Sequence, residues 1–328
     1  MAGRFYKSAL FFGLAAVLIF SPIARGAVKL WSVTPVMLVL YALIFMWLLR
    51  AVNSEKWGQS PPRGRPLSGD SPRFSGATGR KNGDSPHRGG NNGLGTVPIF
   101  PIFLFAALAV VSFAFSIYKH DSFYALLRLF AYIGLFYVVA GEFDHRARRR
   151  IIWLVIGIGG ALSIYGLLQY FGIFGHSWWI PEQFLAATYV NHNHFAGYLE
   201  LVIPAAAAVL TARSAERSVF PGIALVAVLV PMCAAFILTQ SRGAWVSLGL
   251  SLLAMMLAMV WQGKSAARAM VVLVLAAAMA VSIAYFAGDM MSSRLATVTA
   301  AAEGEDVSGG RFKIWQGAAG MIRERPLV

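Results

Sequence analysis

Apolar residues run through this chain in long blocks separated by short polar stretches. A helix needs about 20 mostly apolar residues to cross the roughly 30 Å hydrocarbon core of a bilayer. Nine blocks approach that length, at about residues 8–24, 33–49, 98–117, 122–140, 151–171, 195–212, 219–239, 244–261 and 270–287. Several contain Gly or Pro (Gly157, Gly159, Gly160, Pro204, Pro231), which membrane helices tolerate where neighbours satisfy the backbone. The first block follows Arg4 and Lys7 in the manner of a signal peptide, but eight further spans behind it make it an uncleaved first helix. The pattern therefore predicts an all-α, polytopic integral membrane protein with about nine transmembrane helices.

Composition agrees. Of 328 residues, 58% are hydrophobic and 13% charged, and mean hydropathy is +0.65. A soluble domain carries about 45–50% apolar and about 25% charged residues, so a water-soluble globule and a disordered chain are both excluded. The single cysteine, Cys233, lies in an apolar run, which rules out a disulfide framework and Cys-ligated zinc.

Charge changes the picture only through its placement. The net charge is +14, from 28 Lys+Arg against 14 Asp+Glu. On a soluble protein this would suggest nucleic acid, but membrane topology alone generates such an excess. With the N-terminus inside, 18 of the 28 basic residues fall in inner segments and 9 in outer ones, five of the latter after residue 288. The expected orientation is N-terminus in the cytoplasm and C-terminal segment outside. Four regions follow: residues 1–49 with the first two transmembrane helices; 50–97, a basic linker rich in Gly, Pro and Ser; 98–287, seven helices with an outer loop at 172–195; and 288–328, the start of a large outer loop. The linker cannot bury a core and is expected to be disordered, either solvated or touching anionic lipid heads. Its only aromatics are Trp57 and Phe74, too few to give the stacking that nucleic-acid binding requires.

Four outer-face features could carry chemistry. The loop GIFGHSWWIPEQFLAATYVNHNHF, from Gly172 to Phe195, holds His176, Trp178, Trp179, Glu182, Tyr189, Asn191, His192, Asn193 and His194 and no Lys or Arg. An interfacial aromatic belt accounts for Trp178 and Trp179. It does not account for Asn-His-Asn-His running into a helix, where these side chains cap the start and bind hydroxyls or phosphate. A His-x-His metal pair lacks a third ligand at a telling spacing. Next, Thr239-Gln240-Ser241-Arg242-Gly243-Ala244-Trp245 joins two apolar blocks with almost no loop. Two readings of Arg242 stand: a bidentate phosphate ligand at the membrane boundary, or a plain snorkelling anchor. Gly243 beside it allows a large ligand group to approach the backbone.

Third, Arg128 and Glu200 lie one or two turns inside their spans near the outer face. They are functional candidates or a mutual structural ion pair; His120 and Asp121 sit just above Arg128. Fourth, Ser308 is placed to cap a helix beginning near Gly310, on which Arg311, Trp315 and Ala319 share a face with Ile322 nearby. The alternative for that helix is an amphipathic segment lying on the bilayer. The end at Pro326-Leu327-Val328 reads as an interruption of a longer chain. Other motifs fail: Gly157-Ile158-Gly159-Gly160 lacks the later glycine, the strand context and the acidic partner of a dinucleotide fingerprint, and there is no P-loop.

Three strings occur in order: NHNHFAGYLEL entering a helix, TQSRGAW at an outer turn, and GRFKIWQGAAGMIRERPL after a late span. Together they resemble the O-antigen ligase and O-antigen polymerase superfamily of bacterial inner-membrane proteins, over about residues 185–328. The N-terminal half matches only in hydropathy. The resemblance implies a multi-pass inner-membrane glycosyltransferase without metal or other cofactor. On the periplasmic face it would move an oligo- or polysaccharide from an undecaprenyl-pyrophosphate carrier to lipid A-core, a polysaccharide or a protein. It assigns pyrophosphate binding to Arg242 and Arg311, and the acceptor's general base to a histidine expected beyond Val328. Asn191, His192, Asn193, His194, Ser241, Trp315, Arg128 and Glu200 are the further substrate-binding candidates. A polysaccharide polymerase would use the same donor; a lipid or solute transporter, the rival from another class, would instead gather polar residues near the bilayer midplane.

Overall fold

A computed structural model describes residues 2–55, 99–173, 184–213, 220–263, 269–281, 284–285 and 311–324. Every regular element among them is helical. The helices are α1 (Ala2–Ile23), α2 (Leu30–Glu55), α3 (Ile99–Phe115), α4 (Lys119–Glu142), α5 (His145–Tyr170), α6 (His192–Arg213), α7 (Phe220–Leu238), α8 (Arg242–Trp261), α9 (Ala269–Val281) and α10 (Arg311–Glu324). Each of the nine apolar blocks overlaps one of the first nine. Six helices are long and apolar enough to cross a membrane: α1, α2, α4, α5, α6 and α8. The apolar parts of α3, α7 and α9 are shorter, at Phe100–Phe115, Gly222–Leu238 and Ala269–Val281. The protein is a multi-pass membrane protein. Its outward face fits that setting, with Phe100, Phe103, Leu201, Val230 and Leu250 all more than half exposed, an arrangement that water would not support.

The first residues expected in the basic linker instead continue α2 to Glu55; the rest of the linker, the loop residues 174–183 (with His176, Trp178, Trp179 and Glu182), Ser308 and the final four residues lie outside the described residues.

Because lipid tails are as apolar as leucine, helices in a bilayer associate through close packing rather than through the hydrophobic effect. The chain supplies small residues for this where helices meet. α5 packs on α1, α6 and α7, while α6 also packs on α7 and α8. Gly160 of α5 faces Val228 of α7, and Gly159 faces Val202 of α6 and Met232 of α7. Ala196, Ala206 and Ala207 of α6 are fully buried. The main core holds Ile156, Phe195, Leu199, Ile203, Leu225, Met232, Phe236, Leu248 and Leu252, from α5 to α8. A smaller cluster joins α1, α2 and α4 through Leu10, Leu14, Leu43 and Val138.

The two ends of the bundle differ. At one, the start of α1, the end of α2 and the α4–α5 junction converge: the Arg50 guanidinium lies 4.4 Å from the centre of the Tyr6 ring. Asp144 caps α5 there by accepting from the Ala147 amide at 2.8 Å. That hydrogen bond, helped by the nearby Lys7 and Arg146 charges, holds its carboxyl below the ordinary value. Arg148 donates to the Ala140 carbonyl at 2.7 Å, closing the end of α4. At the other end, Thr188 donates to the Pro22 carbonyl at 2.6 Å, and the Leu185 amide donates to the Leu238 carbonyl at 3.0 Å. Gly26, with φ of +69°, comes so close to the Tyr189 ring that a Cβ would overlap it. The α1–α2 connection, the 184–191 segment and the α7–α8 turn thus share one end, as strict alternation of spans requires.

Candidate functional site

At that second end the α7–α8 turn is built from three residues. Thr239 donates its hydroxyl to the Phe236 carbonyl at 2.6 Å, and the Gln240 amide donates to the Ile237 carbonyl. Gln240 then takes a φ of +53°, a left-handed conformation that costs a non-glycine residue energy and here reverses the chain in minimal length. Ser241 is extended and buried, and its carbonyl accepts from the Trp245 amide at 3.0 Å to start α8. Its side chain does not cap the first turn. Arg242, the first residue of α8, is exposed, and the space beside Gly243 is open.

Below Arg242 lies a groove of about 430 Å³ between α8 and α9. Trp245, Val246, Leu248, Gly249 and Leu252 form one wall, and Ala276, Met279, Ala280 and Ala284 the other. Apart from Arg242 and the Trp245 indole nitrogen, no side chain lining it has a polar nitrogen or oxygen. The groove was missed in the sequence, although a signal was there: Ala276, Ala280 and Ala284 recur every four residues on one helix face, opposite Gly249 of α8.

α6 begins at the same end. Asn191 accepts from the Asn193 amide through its side chain at 2.7 Å, and from the His194 amide through its carbonyl at 3.0 Å, so it is the expected cap. The four polar residues then diverge. His192 packs edge-on against Phe184, with ring centres 4.6 Å apart, whereas Asn193 and His194 are exposed. Phe195, one residue on, is fully buried beneath Tyr189. Burial, with the neighbouring Tyr198 adding to it, pushes the Tyr189 phenol above its ordinary value, so the ring serves as a neutral packing group. α6 and α8 pack together with their N-termini at the same end, which brings the Asn191–His194 turn and Arg242 to one face of the bundle.

The intramembrane charges are not brought together. Arg128 is exposed on α4, Glu200 is half-buried on α6, and they form no ion pair with each other. An ion pair joins His120 and Asp121, at 3.5 Å on the exposed start of α4. α10 starts at Arg311, within a residue of the expected position, and Ile314, Trp315, Met321 and Ile322 on it are all exposed.

Residues 201–328 match a family model described as O-antigen ligase. Over these residues the chain is similar to the O-antigen ligase family. The matched segment begins in the middle of α6 and contains the α7–α8 turn, the groove and α10; the Asn191–His194 cap lies just ahead of it. The family is one of membrane glycosyltransferases, which in general take a lipid-linked glycan donor and an acceptor. No curated protein and no solved structure matches the chain.

Proposed function

We propose that the protein transfers an oligo- or polysaccharide from an undecaprenyl-diphosphate carrier to an acceptor hydroxyl, on the periplasmic face of the bacterial inner membrane. The observation that carries the reading is an exposed guanidinium at the head of an apolar groove lying between α8 and α9. A lipid diphosphate has the matching shape: a dianionic head at the boundary and a hydrocarbon tail in the bilayer. In the reaction the acceptor oxygen attacks the anomeric carbon of the glycan while the bond from that carbon to the diphosphate oxygen breaks. The electron pair leaves with the diphosphate, and the hydroxyl proton passes to a general base. Negative charge develops on the bridging oxygen, and fixed guanidinium groups in a water-poor site stabilise it. Arginine suits the task because its planar fork matches phosphate and its proton is never lost.

Arg311 is the second arginine proposed to hold the diphosphate, with Trp315 one turn on. Asn193, His194 and Ser241 are proposed contacts for the glycan or the head group. The experiment is transfer from a purified lipid-diphosphate glycan to an acceptor by membranes containing the protein. Arg311→Ala is expected to lower turnover by about 10²-fold, the scale on which a single charge-stabilising group acts. Unchanged turnover at equal membrane level removes Arg311 from the site.

Sidedness belongs to the same proposal: the end carrying Arg242 faces the periplasm and the linker faces the cytoplasm. A reporter fused at residue 75 should be active only as a cytoplasmic fusion, and one at residue 305 only as a periplasmic fusion. Both reporting from the same side overturns the topology.

A further inference from the structure

At the end of the bundle opposite Arg242, basic residues gather where a helix does not favour them. α5 opens with His145, Arg146, Arg148, Arg149 and Arg150. A helix start carries partial positive charge, so cations there are disfavoured, and like charges three or four residues apart repel. Arg146 has Arg149 and Arg150 at those two spacings, and the first turn holds no acidic residue to offset them. The fold uses part of the cluster. Arg148 closes the end of α4 through the Ala140 carbonyl, and the charges of Arg146 and of Lys7 on α1 act on Asp144. Arg149 and Arg150 are exposed and form no ion pair among the described residues. A bias of positive charge to one side of the membrane does not require arginines on one face of a helix start. Their depth follows from the span behind them. From Ile151 to Tyr170, α5 has about 20 residues, or about 30 Å at 1.5 Å per residue, the thickness of the hydrocarbon core. Arg149 and Arg150 therefore stand at the level of the lipid phosphates. Trp153, which suits the same layer, is less than one turn deeper.

We propose that Arg146, Arg149 and Arg150 form a binding site for the head group of an anionic phospholipid, with Lys7 at its edge. The phosphate diester lies against Arg149 and Arg150 and offsets their repulsion from Arg146. The guanidinium fork suits it, since each can present parallel N–H groups to two phosphate oxygens. The backbone amides of the helix start are not the binding groups, because Asp144 already accepts from the Ala147 amide. A lipid fits better than a soluble anion for a reason of continuity: the patch runs directly into the apolar span of the same helix, where Ile152 is exposed. Such a site needs neither glycan transfer nor a particular leaflet, because phosphates bound the bilayer on both sides.

The deciding measurement is binding of phosphatidylglycerol to the purified full chain in an uncharged detergent, with phosphatidylcholine as the neutral probe. The parent should prefer phosphatidylglycerol by at least about tenfold. Arg149→Ala combined with Arg150→Ala should remove most of that preference, at about fivefold for each basic group near the phosphates, and leave phosphatidylcholine unchanged. Arg73→Ala combined with Arg80→Ala takes the same charge from the linker and should hold both lipids within twofold of the parent. In detergent without lipid, the α5 double variant should unfold no earlier than the parent, since it loses repulsion and no protein contact. Equal losses from the two double variants would mean a diffuse field of charge and overturn the site. A parent that binds the two lipids alike overturns it as well. Earlier unfolding of the α5 variant without lipid would make these arginines part of the fold and overturn it too.

Discussion

Arg242→Ala should lower kcat for glycan transfer by about 10²–10³-fold, the loss that follows removal of one preorganised group stabilising developing charge. The protein should still reach the membrane in normal amount. Arg242 is exposed at the first residue of α8 and makes no ion pair among the described residues, so nothing in the fold depends on its side chain. The turn that presents it is held instead by Thr239 and by backbone hydrogen bonds, and these survive the substitution. Arg242→Lys separates two explanations. A point charge restores attraction for the donor, and so much of KM, but cannot present two parallel N–H groups to one phosphate; kcat should recover only in part. A snorkelling anchor predicts the reverse, since lysine snorkels as well as arginine. Turnover of the Ala variant within twofold of the parent, at equal membrane level, rules the charge-stabilising role out.

How much of this could be read beforehand depends on the range over which each signal acts. The apolar runs were legible because a bilayer imposes one length and one composition on whatever crosses it. The blocks at 122–140 and 244–261 accordingly lie within α4 and α8 to within a few residues. The cap at Asn191 and the start of α10 were legible for a local reason: helix ends are decided by the few residues around them. Arg128 and Glu200 show where such reading fails. Each lies a few turns into its helix, but whether two such charges meet depends on which helices are neighbours. α4 packs on α2 and α3, whereas α6 packs on α5, α7 and α8, and no periodicity within a single helix encodes that. The same holds for the groove. Arg242 stands out in a linear sequence, but the groove below it exists only because α9 presents alanines opposite α8.

The close approach of α5 to α7 carries the other large effect. A Cβ built on Gly160 would lie 2.5 Å from Val228 Cγ1, a distance that no rotamer of a larger residue relieves. Gly160→Leu must therefore push α7 away from α5, and overpacking of this kind costs about 1–3 kcal/mol. Gly157, one turn earlier on the same helix, is the control, because a Cβ there meets nothing within 4 Å. Gly157→Leu carries the same side chain and the same gain in helix propensity but faces away from the bundle. Titration with a denaturing detergent should show Gly160→Leu unfolding well before the parent, and Gly157→Leu at or after it. Coincident curves for the two variants refute the close-packing account. A consequence for the site follows from connectivity. α7 ends at Leu238, whose carbonyl holds the Leu185 amide, and Arg242 comes only four residues later. Displacing α7 at Val228 moves the turn that aims the guanidinium, so the fraction of Gly160→Leu that remains folded should also transfer glycan more slowly than the parent. Gly157→Leu should not.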